Sequence, residues 1–393
     1  MKLMILGAGV YQVPLIKKAK AMGHETFVVS PIGNYPGLTI ADKVVDCDTR
    51  DKKAVLNAAI EFGIDGIVTT GTDVAVPAIG YVVDRLNLHG TGFESSQKCM
   101  NKSLMKKCFL EHFIQTADYR VVQSLEELKV VANEIGYPLM VKAVDSSGSR
   151  GITKVESESG LKAAFEESLL VSNVQDVIVE QFLDGYEIGA QAIVSSCEVE
   201  EVFLHSDIVT SPPISVPIGH TMPLRISEPV SEKTRLLIKR AVKALGVKDT
   251  ISNVDIMIVD GEPYLLEIGA RMGATCLPEN ISIYNRFDVY EYLVNLALGF
   301  NPKLDLSTDK QPNAALLLCS DKTGVVKEII VPNLVYQNEN LIDLTLDVSV
   351  GDRVSKFNVG PDRIGQIVTI GETESEAIKL ARELSSQIVI SVE

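Results

Sequence analysis

The chain has 393 residues, 46% of them hydrophobic, and a formal net charge of −15. That length suits two or three domains with ample cores, and the acidic balance disfavours nucleic acid and anionic membranes as partners. Six scattered cysteines without a CxxC pair argue against a disulfide framework or a zinc site. No apolar run approaches the ~18 residues of a membrane span, so a cytoplasmic protein is expected.

Residues 1–98 alternate strand and helix, which predicts a parallel, doubly wound α/β sheet. KLMILGAG reads as a buried strand and glycine turn, followed by a helix over 10–22, the strand ETFVVS, a helix over 51–62, the strand DGIVTT and a helix over 74–86. Gly7-Ala8-Gly9-Val10-Tyr11-Gln12 has two glycines of a dinucleotide fingerprint, but Gln12 stands at the third and no acidic residue closes the second strand. A tight turn is preferred over NAD binding, with a small anion at the helix N-terminus as a third reading. A lysine-bearing helix is expected at 99–115. Residues 117–184 place four short strands around helices at 125–135 and 159–169, an α+β lid. Residues 185–310 hold further strands, a Pro- and Ser-rich loop over 210–229, a helix over 231–245, a β-hairpin and a helix over 288–298. Residues 311–393 read as strands plus a final helix over 374–386. The expected domains are 1–98, 99–310 with the lid at about 117–184, and 311–393.

The hairpin, NVDIMIVDGEPYLLEIGAR, carries two carboxylates in runs that otherwise look buried. With a three-residue loop (Asp260, Gly261, Glu262), Asp255 faces Glu267 on one side of the sheet, Ile256 pairs with Leu266 and Ile258 with Tyr264. A two-residue turn would put the carboxylates on opposite faces. Opposed carboxylates repel unless a cation lies between them or one is protonated, so a Mg²⁺ site is the sharp reading and a solvated hairpin edge the bland one.

Two more stretches carry chemistry. In PLMVKAVDSSGSRG, Lys142 interrupts an apolar strand ahead of a Gly/Ser loop with an arginine. Such a loop offers N–H groups and hydroxyls to phosphate while the lysine neutralises charge; a mobile surface loop is the alternative. It is not a Walker A loop. In VIVEQFLDGYE, Glu180, Gln181 and Leu183 lead into a turn and Glu187, a hinge able to present backbone groups to a base edge and a carboxylate to ribose hydroxyls.

Together, in that order and spacing, these pieces resemble the ATP-grasp superfamily: a strand lysine before a flexible loop, a Glu-x-x-Leu-x-Gly-x-Glu hinge, and Asp-x11-Glu-x3-Arg in a late hairpin. The resemblance covers nearly the whole chain. It implies an ATP-grasp fold preceded by a Rossmann-like parallel-sheet domain, and a C-terminal domain like that of biotin carboxylase and several amino-acid ligases. It implies ATP and Mg²⁺ (or Mn²⁺) as cofactors. Lys102 and Lys142 resemble the nucleotide-phosphate lysines, and Ser147, Gly148, Ser149, Arg150 and Gly151 the loop over the β- and γ-phosphates. Ile152 and Met257 would sandwich adenine, Glu180, Gln181 and Leu183 its hinge, and Glu187 would hold the ribose. Asp255 and Glu267 resemble the metal ligands. Arg271 resembles the arginine that steadies the transferred group, with Lys142 and Arg150 neutralising charge. His220 sits where related ligases place a substrate- or phosphate-facing histidine.

The implied activity is an ATP-dependent carboxylate–amine ligase working through an acyl phosphate on small-molecule substrates, with an amino acid as first choice and a homodimer compatible with it. The alternatives are a bicarbonate-activating enzyme and a nucleotide-binding regulator without turnover. One departure matters: many family members have Glu-x-Asn-x-Arg, whereas Gly269 stands at the asparagine position here, which leaves metal stoichiometry open.

Overall fold

The computed structural model describes residues 1–146, 148, 150–210 and 216–393; Ser147 and Ser149 of the expected phosphate loop lie outside them. Four parallel strands, in the order Lys43–Asp46, Glu25–Ser30, Lys2–Leu6, Gly66–Val68, form the first sheet. Leu3 and Ile5 enter one core and Met4 and Leu6 another. A strand sealed on both faces cannot alternate, which explains the unbroken apolar run. Asp51 caps the Lys52–Phe62 helix by accepting from the N–H groups of Lys53 and Ala54, and left-handed Gly63 ends it.

The single helix expected over 99–115 is two, Phe93–Met100 and Lys102–Glu111. Asn101 breaks them: its extended backbone leaves the first, and its side chain caps the second by accepting from Leu104 N–H. That cap places Lys102 and Lys106 on the buried side of the second helix.

The lid sheet runs Tyr119–Val122, Val177–Gln181, Leu139–Ala143, Ile152–Val155, all antiparallel. Leu139, Val141, Val177 and Val179 point into a core with the Leu125–Ile135 and Leu161–Val171 helices. Strand alternation therefore sends Met140, Lys142, Ile178 and Glu180 to the opposite face.

The largest sheet has eight strands: Glu262–Gly269, Thr250–Val259, Tyr186–Ser195, Glu198–Val209, Pro217–Met222, Asn313–Leu318, Gly365–Ile370 and Leu341–Leu346. It joins strands from both sides of residue 310, because Pro217–Met222 pairs directly with Asn313–Leu318. The Pro- and Ser-rich stretch expected as one loop over 210–229 thus contains a strand, and His220 sits in it. One face packs Ile188, Ala190, Val254 and Ile256 against the Lys102–Glu111 and Glu228–Leu245 helices. The other carries Glu187, Gly189, Gln191, Asn253, Asp255 and Met257.

The hairpin itself corrects the expected loop. Val259 pairs with Glu262, so the turn is the two residues Asp260-Gly261, both at positive φ (50° and 78°) as a primed Asp-Gly turn requires. Ile256 then faces Leu265 and Ile258 faces Pro263. A β-bulge between Asp255 and Ile256 absorbs Leu266 and returns Asp255 to Glu267. The carboxylates are opposed, as expected, but by a bulge and not by loop length. Beyond the large sheet, Arg353–Val354, Gly324–Ile330 and Val389–Val392 make a small one, and Thr373 caps the last helix, Glu374–Ser385.

Candidate active site

The lid's inner face carries a buried charge cluster. Glu180 Oε2 lies 2.9 Å from Lys142 Nζ and 3.3 Å from Lys106 Nζ. All three side chains are nearly inaccessible, Glu180 and Lys106 at 1%. Burial alone would raise the Glu180 carboxyl, but the two ammonium groups win and hold it at about 2. Lys106 is pushed down by burial, and Lys142 beside it adds to that against the pull of Glu180. Lys106 also donates to Thr116 Oγ1, which donates to the Leu265 carbonyl on the hairpin. Glu180 Oε1 is buried with no partner, so it can accept one further donor, such as the amino group of an adenine.

Lys102 links lid and floor. Its Nζ donates to Ser146 O at 2.7 Å and lies 3.2 Å from Glu267 Oε2. Its backbone N–H donates to Val144 O, tying the helix start to the chain that leaves the Lys142 strand. Gly151, at φ +65°, takes a form a side chain resists, and a Cβ there would sit 2.4 Å from Val171; its carbonyl accepts from Ala143 N–H. Gly148, also at positive φ, faces open space, and Arg150 is exposed. Ile152 pairs with Lys142 on the lid, Met257 with Glu187 on the large sheet, so they line two different walls. Gln181 closes its strand by donating its N–H to Asp118 O, and Leu183 is buried just beyond.

On the floor, burial together with Glu187, Glu267 and Asp207 raises the Asp255 carboxyl well above the usual range, against the pull of Arg271. Glu187 opens onto the cleft, but the surrounding walls shield it from bulk water and, with Asp207, raise its carboxyl too. Carboxylates gathered this way with too little positive charge have the chemistry of a hard-cation site, and Asp255 with Glu267 fits Mg²⁺. Arg271 is paired at 2.7 Å with Asp73, from the loop after the Gly66–Val68 strand of the parallel sheet, and its Nε is buried without a hydrogen-bond partner.

The structure brings His220 into a cluster that sequence reasoning missed. Asp207 Oδ1 lies 2.6 Å from His220 Nδ1 and 2.8 Å from His205 Nδ1. Burial would raise the Asp207 carboxyl, but the two imidazoles hold it far below the usual range; burial lowers His220 more than Asp207 raises it. His205 lies across Gly189, where a Cβ would meet its Cε1 at 1.9 Å. Gly189 pairs with Asp255, so the cluster adjoins the carboxylates. His205 and Asp207, two apart in one strand, carried a period-2 signal; their meeting with His220 needed the pairing of Asp207 with His220. Lys106 and Asp73 were missed as well: lysines on a helix ordinarily face water, and Asp73 sits in a loop.

Comparison with known proteins fits this geometry. Residues 110–287 match the family model for the D-ala D-ala ligase C-terminus, and residues 316–393 that for L-amino acid ligase C-terminal domain 2. A crystal structure of phosphoribosylglycinamide synthetase from Anaerococcus prevotii superposes with a TM-score of 0.85 at 30% identity, covering 100% of this chain and 99% of that one. L-amino acid ligase from Bacillus licheniformis superposes at 0.84 with 19% identity, covering 100% and 98%, a likeness of fold. Among curated proteins, formate-dependent phosphoribosylglycinamide formyltransferase from Prochlorococcus marinus (strain MIT 9515) is 25% identical over 99% of this chain and 97% of its own length. An uncharacterized protein, y4rH, of Sinorhizobium fredii is 24% identical over 80% of this chain, which spans only 66% of that relative. The chain belongs to the ATP-grasp superfamily of carbon–nitrogen ligases.

Proposed function

We propose that this protein is an ATP- and Mg²⁺-dependent carboxylate–amine ligase that joins amino-acid-like substrates through an acyl phosphate. The observation that carries the reading is the floor: Asp255 opposite Glu267, flanked by Lys102 and Arg271 and facing the Lys142 strand across the cleft. Asp255 and Glu267 would hold the metal, which supplies charge neutralisation for the phosphates. Lys142 and Lys102 hold phosphate oxygens, and the unpaired Oε1 of Glu180 takes the base. A substrate carboxylate oxygen then attacks the γ-phosphorus; the bond to ADP breaks and an acyl phosphate forms. Arg271, through its unpartnered Nε, steadies that group, and His220 borders it. An amine attacks the acyl carbon, phosphate leaves, and the amine loses a proton. Positioning and electrostatics do most of the work, and the lid excludes water from the acyl phosphate.

The names of two relatives suggest a phosphoribosyl amine instead. One observation weighs against it. The glycine turn at 7–9, where an anion would sit at a helix start, is filled by Gln12: its Oε1 accepts from Gly9 N–H at 2.9 Å and its Nε2 donates to Thr70 O. Nearby Arg363 is buried, paired with Asp347 at 2.8 Å and Gln366 at 2.7 Å, and stacked over Tyr11. The turn is thus closed to a phosphate, whereas the buried Nε of Arg363, though beside Asp347, makes no hydrogen bond. The test is phosphate release from Mg·ATP with pooled amino acids, with formate plus phosphoribosyl amines, and with bicarbonate alone. Release that needs both a carboxylate and an amine from the amino-acid pool supports the proposal. Release only with the phosphoribosyl amine, amine-independent release with bicarbonate, or none at all refutes it.

A further inference from the structure

The proposed reaction sheds a proton from the amine, and none of the roles assigned above takes it. One row of the large sheet offers a group. Glu267 pairs with Asp255, Asp255 with Gly189 and Gly189 with His205, so the four lie side by side on four adjacent strands. All four belong to the cleft face, because their chain neighbours Ile268, Val254, Ile188 and Leu204 enter the core on the other face. Gly189 has no side chain, and the His205 imidazole lies in the room one would fill. A Cβ at 189 would sit 1.9 Å from its Cε1 and 2.6 Å from its Nε2. Neighbouring strands are roughly 5 Å apart, so the ring leans from its own strand across the next, towards Asp255.

The ring is held there by its other nitrogen. Asp207 Oδ1 lies 2.8 Å from His205 Nδ1, and an ionised carboxylate only accepts, so Nδ1 carries the proton. Nε2 of the neutral ring is then a bare acceptor. It is buried without a hydrogen-bond partner, on a residue only 2% exposed. His220 leans on the same Asp207 oxygen and meets the His205 ring edge-to-face, 5.1 Å between centroids, which braces it. His220 itself lies one strand further from Asp255. A carboxylate that fixes an imidazole tautomer and leaves Nε2 free beside the reacting groups is the arrangement of a general base.

We propose that His205 is the general base of the amide-forming step, with Asp207 as its positioning residue and Gly189 as the gap that lets the ring reach. The proposal rests on the ligase reading above. In this step the amine lone pair forms the C–N bond while the acyl C–O bond breaks, and that electron pair leaves with phosphate. The nitrogen then holds one proton too many for an amide. Nε2 of His205 accepts it, and Nδ1 keeps its own.

The experiment sets two nucleophiles against one acyl phosphate, on full-length protein checked by thermal melting. Amide formation is read from pooled amino acids with Mg·ATP, and hydroxamate formation from the same pool with hydroxylamine in excess. Hydroxylamine is already unprotonated at neutral pH and needs little help from a base. His205→Asn keeps an N–H for Asp207 but has nothing at the Nε2 position. Its amide formation should fall about 100-fold or more, and its hydroxamate formation less than about tenfold. His205→Gln puts an amide near the Nε2 position that can hydrogen-bond but takes no proton; it should show the same split, and carries the test where the asparagine variant does not fold. Equal losses with both nucleophiles, no loss with either, or a glutamine variant that forms amide at the parent rate overturns the proposal. A parent that makes neither product refutes the ligase reading itself, and the proposal with it.

Discussion

Without a divalent cation, Asp255→Asn should make the protein more stable at neutral pH. The Cβ atoms of directly opposed residues lie ~5 Å apart, and Asp255 opposes Glu267. Two unit charges at that separation, at an effective dielectric near 20, repel by roughly 3 kcal/mol. Arg271 offsets part of this, leaving about 1–2 kcal/mol for the substitution to recover. The sign follows from linkage. The folded Asp255 carboxyl titrates well above the usual value, so the folded state keeps a proton that the unfolded state has released. Stability therefore falls as pH climbs from the unfolded value of about 3.9 towards the folded one, by at most ~1.4 kcal/mol per pH unit. The variant removes that loss, so its advantage is present at pH 7 and shrinks towards pH 4. The amide oxygen introduced by the substitution can still accept the hydrogen bond that Asn253 Nδ2 makes to Asp255 at 3.1 Å, so the local structure survives. The assay is urea unfolding in EDTA from pH 4 to 8, repeated with Mg²⁺, which should stabilise the parent far more than the variant. A variant less stable than the parent at pH 7 in EDTA, or an advantage that grows on acidification, refutes the reasoning.

Glu180→Ala leaves Lys106 and Lys142 buried without their counter-charge, and should cost about 3–5 kcal/mol in denaturant unfolding. In the parent, the folded Glu180 value is about 2, so its contribution is complete above the unfolded value of about 4.3 and is lost as pH falls from there to about 2; a parent-minus-variant difference that is flat over this window would contradict it. Gly189→Ala drives a methyl into the His205 ring, which Asp207 holds in place, and should destabilise by about 2–3 kcal/mol; a change within ~0.5 kcal/mol would mean the ring moves freely. Asp207→Asn removes the charge that favours protonated His220, so the His220 titration seen by NMR should move to lower pH, and an unchanged midpoint would rule out the pairing.

Local signals survived best where one residue type answers one local need. Asp51 and Thr373 announce helix starts, and Asp260-Gly261 announces a hairpin, because caps and turns are settled within a few residues. The hairpin register did not follow from the turn alone. The bulge at Leu266 depends on holding two carboxylates on one face, a demand of the site and not of the turn. Lys142 was legible because alternation in LMVKA already puts it on the face away from Leu139 and Val141. Lys106 was not, because its burial comes with Glu180 on a strand 74 residues later, and no helical pattern encodes a partner that distant in the chain. His205, Asp207 and Asp73 were hidden for the same reason: each acquires its meaning across a sheet or a domain boundary.

The unbroken eight-stranded sheet has a mechanical consequence. Hairpin, central strands and the C-terminal strands share one hydrogen-bonded slab, and the first domain is sewn to it at Thr70 and Gly71. The Tyr119–Val122, Val177–Gln181, Leu139–Ala143, Ile152–Val155 sheet stands outside that slab, joined to it near Thr116, which bridges to Leu265. A buried ion pair ties it down: Glu180 belongs to this sheet and Lys106 to a helix packed on the slab, so separating the two would part charges in a place that water does not reach.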